Sequence, residues 1–490
     1  MFLTQRKLIT QRLIPLLPYI LCLIFFVAYS TLSIVRHEHY QSFGYDLGIN
    51  DQVVWQYSRF HAPITSIDHI VYNSKLNVHI ELIYALIAPF YWIWSNPLML
   101  LLLQAAVVCF SGLAIYLLAK RYKLHPWLQL ALLLSYLLFY GVQNALWFGV
   151  HSATFEAAFI AWFIYFLISH RNKWAIVFFL LAITGKENVA GMTFLISLVY
   201  FLITKRKAGI SFAAASLLYL FFVFGIYFPY FVKGGYSFAN PHGLFSQLDP
   251  RLLFNTGEKM QVYLYTLLSY GFLPLLNPFY LIPAFGNLAS YFILGNSVTT
   301  AQGLFLQYRI ELAPLMSWAT IATIARYKRL NTKPIALYII VSALLVQYLL
   351  HLPLSYLTKQ WFWDDPPAIK TLNITIQDYL PKDASVVSQD NITPHISQRD
   401  NIYMFYPEIK NFPKDSPCGQ IQCNWFSWYG NPEFLLVDTS SEWDARHLLS
   451  DRPLFLAGLQ NLEKTKVITK YKQLGTTILY RVNKNPAEYK

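Results

Sequence analysis

Two acids five residues apart, Asp46 and Asp51 in FGYDLGINDQ (residues 43–52), stand just past the first long apolar run of the chain. A carboxylate there can take a proton from an attacking hydroxyl or accept the hydrogen bond that orients it. The plainer reading of Asp46 is an acid that solvates a loop or caps the helix expected to begin near Ile49. Other ionisable groups interrupt apolar sequence further on. His79 and Glu81 open the Tyr- and Trp-rich stretch 79–95, His151 and Glu156 begin another run, Lys186 and Glu187 break a long one, and Tyr308, Arg309 and Glu311 precede a late one. Charge so close to hydrocarbon is costly unless it is paired or faces a wet cavity. His79 is therefore read as a packed or capping residue, or as an active-site wall. His151 and Glu156 read as lining a cavity. Lys186 and Glu187 read as an ion pair locking a turn, with Lys186 meeting a phosphate as the alternative.

The elements that must position these residues follow from composition. The chain is 56% hydrophobic, 17% aromatic and 13% charged, with a mean hydropathy of +0.38; a soluble domain carries roughly 25% charge. This is a polytopic membrane protein. Taking 13–34 as the first span, apolar runs near 97–119, 126–146, 153–169, 174–187, 189–204, 208–228, 260–276, 279–294, 312–325 and 334–352 bring the expected number of spans to about eleven. The first run is too long for a signal-peptide core and no small-residue cleavage site follows it.

The net charge of +13 is explained by where it lies. With the N-terminus inside, Lys120/Arg121/Lys123, Arg171/Lys173, Lys205/Arg206/Lys207 and Arg326/Lys328/Arg329/Lys333 all fall in cytoplasmic loops that contain no acid. Positive charge here means topology and contact with anionic headgroups, and nucleic acid is excluded as a partner. A span at 79–95 would invert every later loop, so that stretch is expected to lie on the outer surface as an amphipathic helix. Asp46, Asp51, Asp68, Glu81, Glu156, Glu187, Asp249, Glu258 and Glu311 then sit on or near the outer face.

From about residue 353 the chain carries charge, Pro, Asn and short alternating runs such as ASVVSQ, FLLVDT and TTILYRV. These predict a small soluble α/β or β-rich domain on the outer face. Cys22 and Cys109 lie in spans as packing thiols; Cys418 and Cys423 could close a short loop in an oxidising compartment. The cluster NWFSWYG (424–430) suits either a small-domain core or stacking on sugar rings. No Walker motif or phosphate-binding Gly loop is present, which argues against an ATP-driven pump.

Several motifs occur in order along nearly the whole chain: YDLGINDQVVW, HIELIYALIAPFYWIW with NPLMLLLLQA, VHSATFEA, GKEN, GFLPLLNPFYLIPAFGNLAS and LPKDASVVSQDNITPHISQRDNIYMFYPE. Together they resemble the predicted-membrane-protein family labelled domain of unknown function 2079, which looks like a branch of the GT-C integral-membrane glycosyltransferases. This sequence has HIEL where HFSP is usual and HSATFE where HPE is usual.

The resemblance implies a GT-C-like transmembrane domain over 1–352, whose outer loop 35–96 carries interfacial helices, and a C-terminal extracytoplasmic domain over 353–490. It implies transfer of a sugar from a polyprenyl-phosphate-linked donor to an acceptor glycan, lipid or protein at the outer face of a prokaryotic plasma membrane. Asp46 matches the acidic residue of the first outer loop and becomes the candidate base. Asp51 is a supporting residue that could share a divalent cation, Mg or Mn, with Asp46, or simply lie on the outer helix. Arg309, beside Tyr308, matches late-loop cations that hold lipid phosphate, with interfacial snorkelling as the plainer reading. His242 and Arg251, in loop 229–259, are weaker candidates in a segment that could cover the donor. The competing expectation is a non-enzymatic transporter or lipid-handling protein, in which Lys186, Glu187 and Glu156 mark a passage. The placement of the costly residues towards one face and the absence of an internal repeat favour the enzyme.

Overall fold

The computed structural model describes residues 14–67, 74–236, 249–294, 299–411, 422–428, 430–440 and 452–484. The chain divides into two compact units. The first comprises Met1–Ser33, Asn77–Ile83 and Leu101–Lys359; the second comprises Ile34–Leu76, Tyr84–Leu100 and Gln360–Lys490. Most of the segment 35–96 therefore belongs with the C-terminal residues in one compact unit.

The first unit is helical because its sequence is long runs of Leu, Ile, Phe and Ala with proline held to the first turn, as at Pro18, Pro97, Pro126 and Pro334. Four described helices are long and apolar enough to cross a membrane: Leu17–Glu38, Pro97–Arg121, Pro126–Phe148 and Lys207–Phe231. The other runs expected to span fold as shorter helices. Ser152–Ile168 and Asn188–Thr204 have 17 residues each and Asn172–Ile183 has 12. At 1.5 Å per residue the last reaches only about 18 Å. The stretch expected to lie on the surface forms a helix of ten residues, Ile83–Trp92.

Exposed apolar stripes mark the faces that need an apolar solvent. Ile20, Leu23, Ile24 and Val27 are exposed at three- and four-residue steps, as are Leu337, Val341, Leu344, Leu345 and Tyr348 on the helix Lys333–Leu350. The helix Leu312–Arg326 is the opposite case: every residue from Leu312 to Ile324 is buried. Its Thr320 and Thr323 hydroxyls donate to carbonyls one turn back, so burial leaves neither unsatisfied. Cys22 and Cys109 are buried free thiols.

The second unit is built on a five-stranded sheet of order β2-β1-β5-β7-β6, where β1 is Val386–Ser388, β2 Ile402–Met404, β5 Phe434–Asp438, β6 Ile468–Leu474 and β7 Thr477–Val482. β1 pairs in parallel with β2 and β5, while β5–β7 and β7–β6 are antiparallel. The alternating runs of the tail are these strands. A separate antiparallel pair joins β3 (Tyr406–Asn411) to β4 (Gln422–Ser427).

Every residue of β5 is buried, so both faces of the sheet need cover. On one face Val387, Leu435, Val437 and Tyr480 pack with Phe455, Leu459 and Leu462 of the helix Arg452–Lys464. Phe426 and Trp428 join that core, which settles their part of the aromatic cluster as packing. On the other face Val386, Phe434, Leu436 and Leu479 meet Leu372 of the helix Ala368–Ile374 and Tyr40, Ile49 and Ile67 of the first loop. His242, Cys418 and the Cys423 side chain lie outside the described residues, and with them the proposed disulfide.

Gly44 shows how tightly that loop is seated. A Cβ there would come within 2.6 Å of the Met404 sulfur and 2.9 Å of the Thr393 Cβ, whereas one on Gly191 would meet nothing within 4 Å. We expect Gly44→Ala to lower the unfolding midpoint of the detergent-solubilised chain by the equivalent of roughly 1–3 kcal/mol. Gly191→Ala, inside a helix, should be neutral or stabilising by up to about 1 kcal/mol.

Candidate functional site

In the helical unit the chemistry gathers at the turn 184–187, between the helices Asn172–Ile183 and Asn188–Thr204. Gly185 brings this turn against the Glu156 side chain so closely that a Cβ would overlap its carboxylate. The Lys186 amide donates to Glu156 Oε1 at 2.6 Å, and Glu156 Oε2 has no partner among the described residues. Glu187 is 2% exposed, and its Oε1 accepts from His79 Nδ1 at 2.8 Å and from the Tyr236 hydroxyl at 2.6 Å. Glu81 accepts from the Ser152 hydroxyl at 2.6 Å. The half-buried Lys186 ammonium sits in the field of Glu81, Glu156, Glu187 and Tyr308. His151 stacks on Phe148, with ring centroids 5.6 Å apart.

Glu311 joins the group from the start of the helix Leu312–Arg326. It is fully buried, and Asn287 and the Tyr291 hydroxyl approach it at 3.5 and 3.4 Å. Tyr308 packs edge-on against Tyr291. The structure thus brings together His79, Glu81, Glu156, Lys186, Glu187 and Tyr308, and adds Ser152, Tyr236, Asn287, Tyr291 and Glu311. The added tyrosines stand alone in apolar or loop sequence, and Asn287, although inside the motif GFLPLLNPFYLIPAFGNLAS, had no feature that tied it to the acids.

Arg309 has a different task from the one expected of it. It is fully buried, and its guanidinium donates to the carbonyls of Ala301, Gly303 and Tyr308 while lying 5.1 Å from the centroids of both Tyr291 and Phe292. Those contacts fold the loop 301–309 around it. Arg251 is an exposed partner of Asp249.

In the second unit the stretch Gly44–Gly48 is a single π turn feeding the helix Ile49–Ser58, and Asp46 stands half-buried on it. The turn is fixed from below by Asp390, two residues beyond β1. Asp390 Oδ1 accepts from the amides of Gly44 at 2.8 Å and Tyr45 at 3.2 Å, and the Gly44 amide also reaches the Asp390 carbonyl at 2.8 Å. Burial pushes the Asp390 carboxyl up to about 7 against the pull of those two amides, and the neighbouring Asp46 charge acts in the same direction as burial.

This is the carboxyl edge of β1 and β5, where connections leave in opposite directions, to β2 on one side and to β7 and β6 on the other. Ligands of open α/β sheets bind at such switch points. The Asp438 amide closes the edge by donating to Gln389 Oε1.

Asp51 does not share a cation geometry with Asp46. It is fully buried, and its oxygens accept from the Tyr91 hydroxyl, the Ser397 hydroxyl at 2.6 Å and the Gln398 amide at 3.2 Å. Burial pushes it up to about 6, opposed by those three donors. Such surroundings suit a carboxylate that ties the helix Ile49–Ser58 to the segment 394–398, and they do not fit a metal ligand. Among the described residues no three of His, Cys, Asp and Glu converge on a common point for a metal.

Long apolar helices with lipid-type faces, ionisable groups gathered at one turn, and a small parallel-cored sheet define a membrane protein with a C-terminal α/β unit. The family of predicted membrane proteins DUF2079 matches residues 36–428. The chain belongs to that family. No curated protein is detectably similar to it.

Two outcomes are expected from the second unit. Asp51→Ala leaves two buried hydroxyls and the half-buried Gln398 amide without their acceptor and should lower stability by about 2–4 kcal/mol, with Asp51→Asn milder, as read by thermal unfolding of the full chain. Asp390 is easier to protonate folded than unfolded. Its contribution to stability is therefore complete below the ordinary carboxylate range and lost as the pH rises through about 7. Asp390→Asn should flatten that part of the pH dependence; an unchanged profile would contradict the assignment.

Proposed function

We propose that the chain is an integral-membrane glycosyltransferase of GT-C type, moving a sugar from a polyprenyl-phosphate-linked donor to an acceptor hydroxyl on a glycan, lipid or protein. The observation that carries this reading is the setting of Asp46. It is a half-exposed carboxylate on a turn whose preceding amides are pinned by a buried acid at the carboxyl edge of a parallel strand pair. A base is useful only where its position is fixed relative to the attacking group.

In the proposed reaction the acceptor oxygen attacks the anomeric carbon and its proton passes to Asp46. The bond between that carbon and the lipid phosphate breaks, and the phosphate leaves with the electron pair. Arg309 shapes the loop 301–309 and is left out of donor binding. No step is routed through a divalent cation, because Asp51 is engaged elsewhere. The charge pattern of the loops supports an N-terminus in the cytoplasm and both acid clusters on the outer face of a prokaryotic plasma membrane.

A second reading, a transporter or lipid-handling protein, draws on one observation: Glu81, Glu156, Glu187 and Glu311 gather around Lys186 inside the helical unit. Substitution separates the two. For the enzyme, Asp46→Asn should abolish transfer while leaving expression and unfolding midpoint unchanged. In a deletion strain, mass spectrometry of polyprenyl-phosphate lipids should show a sugar-charged lipid that wild type clears and Asp46→Asn does not. If Asp46→Asn restores the strain fully and Glu187→Gln does not, the transport reading replaces the enzyme.

A further inference from the structure

A second site lies at the far ends of the helices that carry the carboxylates. Glu156 is near the start of the helix Ser152–Ile168 and Glu187 precedes Asn188–Thr204. At 1.5 Å per residue the ends of these helices lie about 18 and 25 Å from those acids. There a cleft of about 290 Å³ opens within the helical unit, lined by Arg121, Tyr122, His170, Tyr200, Tyr280 and Trp318, with Ile203 in its wall.

The polar side of the cleft is organised for an anion. His170 Nδ1 and the Tyr200 hydroxyl are 3.1 Å apart. Burial, then the Arg206 and Arg121 guanidiniums, holds the His170 imidazole below its usual range, so both arginines act on it. Three helices end here, Pro97–Arg121, Ser152–Ile168 and Asn188–Thr204. Each contributes roughly half a negative charge. Against them the segments 120–123, 171–173 and 205–207 bring eight Lys and Arg and no acid. The cations therefore far exceed what the helix ends neutralise. The remaining wall is apolar and aromatic: Trp318 is almost fully buried and meets Tyr280 edge-on at 5.1 Å.

We propose that this cleft binds a phosphate group carried on an apolar chain, the headgroup of an anionic lipid. Arg121 in the wall, and Arg206 at the rim where its charge reaches His170, offer planar forks to the phosphate oxygens, the Tyr200 hydroxyl adds a neutral partner, and Trp318 and Ile203 receive the start of the chain. A basic pocket between apolar helices is the setting in which proteins hold such headgroups. The site is independent of the sugar-transfer reading and stands if that reading fails.

The test uses the full-length chain in a neutral detergent, with native mass spectrometry reading retention of dioleoyl phosphatidic acid, dioleoyl phosphatidylcholine and inorganic phosphate. Phosphatidic acid should be retained, phosphatidylcholine should not, and inorganic phosphate should not displace the lipid at equal concentration. Arg121→Gln with Arg206→Gln should weaken retention at least tenfold. So should Ile203→Trp, which fills the wall without changing charge and answers the question if the double variant does not fold. Lys328→Gln with Lys333→Gln, which removes charge outside the cleft, should leave binding within twofold. Equal retention of the two lipids, displacement by inorganic phosphate, or the same loss in the Lys328 and Lys333 variant would overturn the proposal.

Discussion

The arrangement of the second unit follows from a sheet that is apolar on both faces. β5 has no exposed residue, and β1 and β7 present apolar side chains alternately up and down. One face is closed by a helix of the tail itself, the other by Leu372 together with Tyr40, Ile49 and Ile67 from a segment more than three hundred residues earlier. Burying a large apolar side chain is worth about 1.5–3 kcal/mol, so this second cover contributes enough to fix where the early segment lies. Once it lies there, Gly44 meets Met404 and Thr393, Asp390 binds the Gly44 and Tyr45 amides, and Asp46 inherits a defined position. The candidate base is placed by the packing of residues that have no chemistry of their own.

The helical unit solves a different problem, which is keeping carboxylates at the margin of hydrocarbon. Each of them is tied to a group from a distant part of the chain: Glu187 to His79 and Tyr236, Glu81 to Ser152, Glu156 to the Lys186 amide. A buried ion is stable only when donors saturate it or another charge answers it. Lys186 is central in this sense, because it is the cation that Glu81, Glu156 and Glu187 all face. Such a cluster is polar, preorganised and shielded, which are the properties that both a reaction and a passage for small ions require. Chemistry at Asp46 is what separates the two.

Arg309 and Asp51 show how the same residue type can be read two ways. From sequence, an arginine before a late apolar run and an acid five residues after another acid both look free to act. Folded, the guanidinium is held by three carbonyls and two aromatic rings, and the carboxylate by two hydroxyls and an amide. Neither arrangement can be read from local sequence, because the partners are contributed by positions such as Ala301, Tyr91 and Ser397 that lie 8, 40 and 346 residues along the chain from the residue they hold. The tail's strands, by contrast, were legible as alternating β-branched and aromatic runs, since period-two patterning is a property of neighbouring residues.

By itself the sequence determined that this is a membrane protein, which ends of its apolar runs carry positive charge, where its ionisable residues interrupt hydrocarbon, and that a small α/β unit follows the last run. These are local or compositional properties, set by transfer free energies that act residue by residue. Tertiary structure alone decided that the segment around Asp46 shares a unit with the tail, that Lys186 faces four glutamates, and that Arg309 and Asp51 are engaged in holding loops and helices. Each of these depends on contacts between residues far apart in the chain. Such contacts form only when the whole apolar surface is packed at once.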